Sequence, residues 1–128
     1  AEAFVREFDP EVWEQNVRRV FGKAAQAVLA KARAEDKNNP EAHRRRMETL
    51  LRHWDEIEGF MALELPNTEE VAALMRRVGM PMTPAAIGIS LKDVQDALHG
   101  SRDIRDKYLT SSLLWDLGML YDFPLPED

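Results

Sequence analysis

The sequence predicts an all-α fold, with two long antiparallel helices and four or five short helices that wrap or cap them. Three observations carry this. Apolar side chains recur at spacings of three and four over two long stretches, which places them on one face of a helix. Helix start and stop residues stand at the ends of nearly every such stretch. Strict apolar–polar alternation is absent over any useful length, and no hairpin signal joins β-branched runs.

The opening residues carry Phe4, Val5 and Phe8 with no helix start before them, and read as a chain entered in mid-element. Asp9-Pro10 is an N-cap followed by proline at the first helical position, where its missing N–H costs nothing. Trp13, Val17, Val20, Phe21, Ala24 and Val28 then form a stripe, which predicts one helix from Pro10 to Ala34. Gly22 lies inside it and weakens it by about 1 kcal/mol relative to Ala. Glu35 to Asn39 is a polar loop, and Asn39-Pro40 repeats the start signal. The second stripe, Met47, Leu50, Leu51, Trp54, Ile57 and Met61, is the cleanest amphipathic pattern in the chain and ends at Leu65-Pro66. Each long helix would span roughly 35 Å at 1.5 Å per residue, and the short loop between them implies an antiparallel pair.

Shorter helices follow. Asn67 with Glu70 makes a capping-box-like start for Val71, Leu74, Met75 and Val78, closed by Gly79. Thr83-Pro84 opens a single turn that Gly88 ends. Ser90 with Asp93 caps a helix ending at His99-Gly100, and Arg102 to Tyr108 is helical by pattern. Thr110 caps a last helix, Ser111 to Leu117, stopped by Gly118, and the tail from Tyr121 carries two prolines and is irregular. No repeat recurs at a fixed period.

The 128 residues make a single all-helical domain or a piece of one. Hydrophobic residues at 45% and charged residues at 31% place it among globular chains. A net charge of −6 argues against nucleic acid and against anionic lipid as partners, since both select basic surfaces. The absence of cysteine excludes disulfides, thiolate catalysis and Cys-type zinc sites, and fits a cytoplasmic location. No run approaches the ~20 apolar residues of a membrane span, and the opening residues given do not show the basic-then-apolar pattern of a signal segment.

No self-contained catalytic constellation is present. His43, His53 and His99 lack the three- or four-residue spacing of helical metal ligands, though His53 reaches Glu56 as a surface pair. Arg44, Arg45 and Arg46 fan over roughly 200° of a helix, and read as a solvated face with Glu41 and Glu48 as partners. Glu69-Glu70 and Asp103 with Asp106 could serve acid–base or Mg²⁺ chemistry, but sit where helix starts stabilise carboxylates anyway, and Arg102 with Asp106 forms an i,i+4 pair. The Trp and Met stripes read as core. No G-x-G-x-x-G, P-loop, G-x-S-x-G or H-E-x-x-H occurs.

Three segments between Leu65 and Leu120 nevertheless carry a resemblance. They are G-x-P-x-T-P-A-x-I-G at Gly79–Gly88, I-R-D-K-Y at Ile104–Tyr108 followed by Thr110, and L-L-W-D-L-G-x-L at Leu113–Leu120. In this pattern the chain resembles the C-terminal helical domain of bacterial sn-glycerol-1-phosphate dehydrogenases, of the iron-containing alcohol dehydrogenase and dehydroquinate synthase superfamily. Trp54 to Ile57 and the first long helix also agree with that domain. Leu109 departs from it, because the family more often places Thr directly after the Tyr.

The resemblance implies the distal part of a dehydroquinate synthase-like C-terminal domain, with the N-terminal nucleotide-binding half absent. It implies a parent enzyme that interconverts dihydroxyacetone phosphate and sn-glycerol 1-phosphate with NAD(P) and a divalent metal. In the family, an Asp and two His before the region seen here hold that metal. This chain by itself would then hold no cofactor or metal and no catalytic residue, and would be inactive alone while supporting the active-site cleft. Its expected partners are the missing half and further copies of itself, as a homo-oligomer. Arg105 and Lys107 are the candidates for contact with a substrate phosphate, because cations suit phosphate. The competing expectation is a stand-alone helical interaction module derived from that domain, with its Met- and Trp-bearing stripes as the groove.

Overall fold

Start and stop residues set most of the elements. The computed structural model describes residues 2–125, and they contain helices and no strand. In chain order the helices are α1 (Glu2–Glu7), α2 (Pro10–Phe21), α3 (Ala25–Ala34), α4 (Pro40–Arg52), α5 (Trp54–Glu64), α6 (Thr68–Arg77), α7 (Leu91–Ile104) and α8 (Thr110–Asp116). Single 3-10 turns stand at Gly22–Ala24, Ala85–Ile87 and Leu120–Asp122. Asp9 accepts from the N–H groups of Glu11 and Val12, Asn39 from Ala42 and Asn67 from Glu69. Ser90 and Asp93 cap α7 reciprocally. None of the helices among the described residues is long and apolar enough to cross a membrane.

Both long helices are interrupted. Gly22 sits at φ +50°, ψ −118°, a backbone conformation open in practice to glycine alone, and the chain reverses there. Glu14 on α2 consequently pairs with Arg33 on α3. In one straight helix these residues would stand about 28 Å apart. The segment Pro10–Ala34 is therefore a helical hairpin, whose facing sides bury Trp13, Val17, Ala25, Val28, Leu29 and Ala32. The predicted stripe supplies Trp13, Val17 and Val28 to the hairpin, but its second face is completed by Ala25, Leu29 and Ala32, which lie off that stripe, while Ala24 is exposed. The second interruption falls at His53, with φ −112° and ψ 16° between α4 and α5.

Other boundaries move as well. The opening residues form α1, and Val5 packs with Leu114, Trp115 and Leu120 in a second buried cluster. Helix α7 runs through His99-Gly100 instead of stopping there, to Ile104, and Arg105 to Leu109 is not helical. Gly100 serves close packing: a Cβ built on it would lie 2.8 Å from Cζ of Phe21. The tail opens with a 3-10 turn, and its second proline lies outside the described residues.

The body comprises α1 to α3, the first turns of α4, the second half of α7, and α8. The segment from Leu51 to Leu91 leaves it as an arm. Along it Leu51, Trp54, Phe60, Met61, Leu63, Leu65, Val71, Leu74, Val78, Met80, Met82, Ile87 and Leu91 are all exposed. The stripe of α4 and α5, expected as core, is thus largely uncovered. Met47, Leu50 and Ile57 are half-buried.

Candidate functional site

The polar centre of the body is Asp116, the last residue of α8. Its side chain is 1% exposed, in a run of apolar neighbours that draws this end of α8 into the core. A bare carboxylate there would be costly, and two groups answer it, with a third on the backbone. Arg46 of α4 forks onto it, Nε to Oδ2 at 2.9 Å and Nη2 to Oδ1 at 2.7 Å. Tyr108 donates its hydroxyl to Oδ2 at 2.8 Å. His43, fully buried, donates from Nε2 to the Asp116 carbonyl at 2.8 Å, which assigns its tautomer. The carboxylate holds Arg46 above the ordinary arginine range. Burial first, then the bond to Asp116, pushes the Tyr108 phenol up, so Tyr108 stays a neutral donor.

A second buried pair lies beside it. The Arg102 guanidinium stacks 3.9 Å from the centroid of Trp115 and donates to Asn38 at 2.6 Å and to the Lys37 carbonyl at 3.2 Å. Asp103 faces Arg102 at 3.4 Å and accepts from the Trp13 indole at 3.1 Å. Burial pushes the Asp103 carboxyl up, against the pull of Arg102. Lys37 donates to the carbonyls of Arg102 (2.8 Å) and Arg105 and pairs with Glu35 at 3.1 Å. A lysine on the last carbonyls of a helix is a C-cap, and it marks where α7 ends.

These groups line a cleft of about 310 Å³ bounded by Glu35, Lys37, Arg46, Arg102, Asp106, Lys107, Tyr108, Ser112 and Asp116. Four cations face three carboxylates, and Asp116 is already consumed by Arg46 and Tyr108. Arg46 is in turn paired with Asp116, Lys37 with Glu35 and Arg102 with Asp103, which leaves Lys107 as the cation able to meet an anion, and among the described residues lining the cleft none is placed as nucleophile and general base together. A second, apolar groove of about 620 Å³ runs between α1 and α2, with Phe4, Phe8, Val12, Trp13 and Tyr121 in its walls.

Of the two sequence candidates, Lys107 borders the cleft with an exposed side chain. Arg105 is exposed and does not line the cleft, and its carbonyl holds Lys37. Arg44 pairs with Glu41 and Glu48 as its spacing predicts. Arg46 does not belong to that solvated face. Asp103 and Asp106 are not at a helix start: Asp103 is in the last turn of α7 and Asp106 lies beyond it, so the Arg102–Asp106 pair does not form. Glu69 and Glu70 occupy the first turn of α6, and His53 reaches Glu56 at 3.4 Å. Asp116 was legible as the single charge inside Leu113–Leu117, which any helix placed in a core must bury with a partner. Nothing in the sequence marks Arg46 as that partner.

Among the described residues no group of three or more His, Asp or Glu side chains could hold a metal ion. Comparison with protein families, with curated proteins and with solved structures finds no match to this chain.

Proposed function

We propose that this chain is the helical part of a metal- and NAD(P)-dependent dehydrogenase of the sn-glycerol-1-phosphate type, where it walls the cleft that holds the phosphorylated substrate. The observation that carries this reading is a coincidence of place. The Ile104–Tyr108 and Leu113–Leu120 segments, two of the three that carry the resemblance, together supply Asp106, Lys107, Tyr108 and Asp116 to one cationic cleft. Lys107 is the cation there with an exposed side chain, and it is the residue to meet a phosphate, as a point charge on a flexible stem. Arg46 and Asp116 hold the wall in shape and touch no substrate.

In this reading the metal and the dinucleotide are both held by the half of the parent that precedes this region. This chain supplies no step of hydride transfer. A second reading, a stand-alone helical interaction module, calls for little exposed apolar surface, and the uncovered arm from Leu51 to Leu91 weighs against it.

Two measurements test the proposal. Coding sequence read upstream of Ala1 should continue in frame into a glycine-rich nucleotide loop, then an Asp and two His. A start codon at that boundary would replace the first reading with the second. The purified chain should oxidise no NAD(P)H when given dihydroxyacetone phosphate and a divalent metal, and turnover by these residues alone would refute it.

A further inference from the structure

Helix α6 presents Val71, Leu74, Met75 and Val78 within about 100° of its circumference. Val71 is 39%, Leu74 58% and Val78 64% exposed. A ten-residue helix is marginal in water by itself, and no residue of α6 is fully buried, Ala72 and Met75 being half-buried. Something must cover its apolar face.

The pattern on that face says what. The four apolar residues are symmetric about the point between Leu74 and Met75: Val71 mirrors Val78, and Leu74 mirrors Met75. The charges flanking the stripe are antisymmetric about nearly the same point. Glu70 near the start and Arg77 at the end lie on one flank, about 20° apart around the axis. Neither enters an ion pair among the described residues. The opposite flank carries Thr68 and Ala72, both small.

We infer that α6 is a self-complementary docking helix, which pairs antiparallel across a two-fold axis with α6 of a second copy of this chain. In that arrangement Val71 packs on Val78 of the partner subunit and Leu74 on Met75 of the partner subunit. Glu70 comes within about two residues, roughly 3 Å along the axis, of Arg77 of the partner subunit, and the symmetric contact repeats it. A parallel pairing would set this flank against the flank of Thr68 and Ala72, and would leave Glu70 and Arg77 without oppositely charged partners. The sign pattern therefore selects the antiparallel, isologous contact. Leu65 and Met82, 63% and 42% exposed beyond the two ends of α6, extend the apolar strip. The inference stands on α6 alone and does not depend on the proposed enzymatic reading.

Solution mass by sedimentation equilibrium tests it. The chain should be a dimer that dissociates on dilution. Leu74→Glu, at an exposed position, should be monomeric with unchanged helicity in the far-ultraviolet. Glu70→Arg and Arg77→Glu should each weaken association at least tenfold, and the double exchange E70R/R77E should restore it. The inference is overturned by a wild-type monomer, which would leave α6 for a different protein or another part of a longer chain. It is equally overturned by a dimer that survives Leu74→Glu, by open-ended association indifferent to the charge exchange, or by a double exchange that fails to rescue.

Discussion

Gly22→Ala distinguishes the helical hairpin from a continuous helix by the sign of its effect. Gly22 is exposed, and a Cβ built there meets nothing within 4 Å, so no clash is involved. What remains is backbone. At φ +50°, ψ −118° a side-chain-bearing residue is strained by about 1–3 kcal/mol. The alanine recovers about 0.4–1 kcal/mol by narrowing the unfolded ensemble. The net expectation is a loss of about 1–2 kcal/mol. If residues 10–34 instead formed one straight helix, the same substitution would gain about 1 kcal/mol from propensity alone. The two outcomes differ by about 2–3 kcal/mol and lie on opposite sides of zero. Urea unfolding followed by the fluorescence of buried Trp13 and Trp115 reads the difference, and a neutral or stabilising Gly22→Ala would refute the hairpin. Because the chain has no cysteine, spin labels at Gln15→Cys and Ala34→Cys give an independent check. A label separation near the ~28 Å of a straight helix would refute it as well.

Two further predictions concern the polar groups of the body. Arg46→Met leaves the Asp116 carboxylate, 1% exposed, with Tyr108 as its side-chain donor. It should cost about 2–3 kcal/mol, discounted from the fully buried case because Arg46 is 29% exposed. The double variant with Asp116→Leu should lose less than the sum of the singles, and strict additivity in urea unfolding would show that the pair is not coupled. The second concerns acid. Hydrogen bonds from Arg19 and then Lys92 hold the Asp96 carboxyl well below the ordinary carboxylate range, so its contribution is complete above about pH 4 and is lost as pH falls further. Burial lowers His99, so the unfolded chain takes up that proton more readily and stability starts to fall below about pH 6.5. Asp96→Asn should flatten the more acid limb and, because the Asp96 charge also raises His99, deepen the milder one, whereas His99→Gln should flatten the milder limb. A stability profile unchanged in both variants would refute the assignment.

The fold class was legible because helix caps are local. Asp9, Asn39, Asn67 and Ser90 bond their own first turns whatever lies elsewhere, and all four stand where the sequence puts them. What was not legible depends on tertiary approach. The stripe Trp13–Val28 reads as a straight helix packed on a neighbour, whereas the face buried after the turn at Gly22 is that of Ala25, Val28, Leu29 and Ala32. His99-Gly100 reads as a stop, yet Gly100 is there because Phe21 of α2 comes within contact of α7. The site divides the same way. A lone aspartate in an apolar run announces its burial, whereas its partner Arg46 stands 70 residues away in a basic run that looks solvated.

The uncovered arm also bears on how the two proposals relate. The accessible surface is 9294 Å², about a third more than the ~6,900 Å² expected of a compact monomer of this mass. A standard interface covers about 800 Å² on each partner, so pairing through α6 accounts for only part of that excess. The remainder includes Phe60 and Leu63 on α5 and Ile87 and Ile89 around the 3-10 turn, outside the α6 stripe. Ile87 belongs to the Gly79–Gly88 segment, the one resemblance segment that takes no part in the cationic cleft. Apolar surface thus remains uncovered even when α6 is paired. These residues lie outside the α6 stripe, so whatever covers them need not compete with the α6 contact for the same residues.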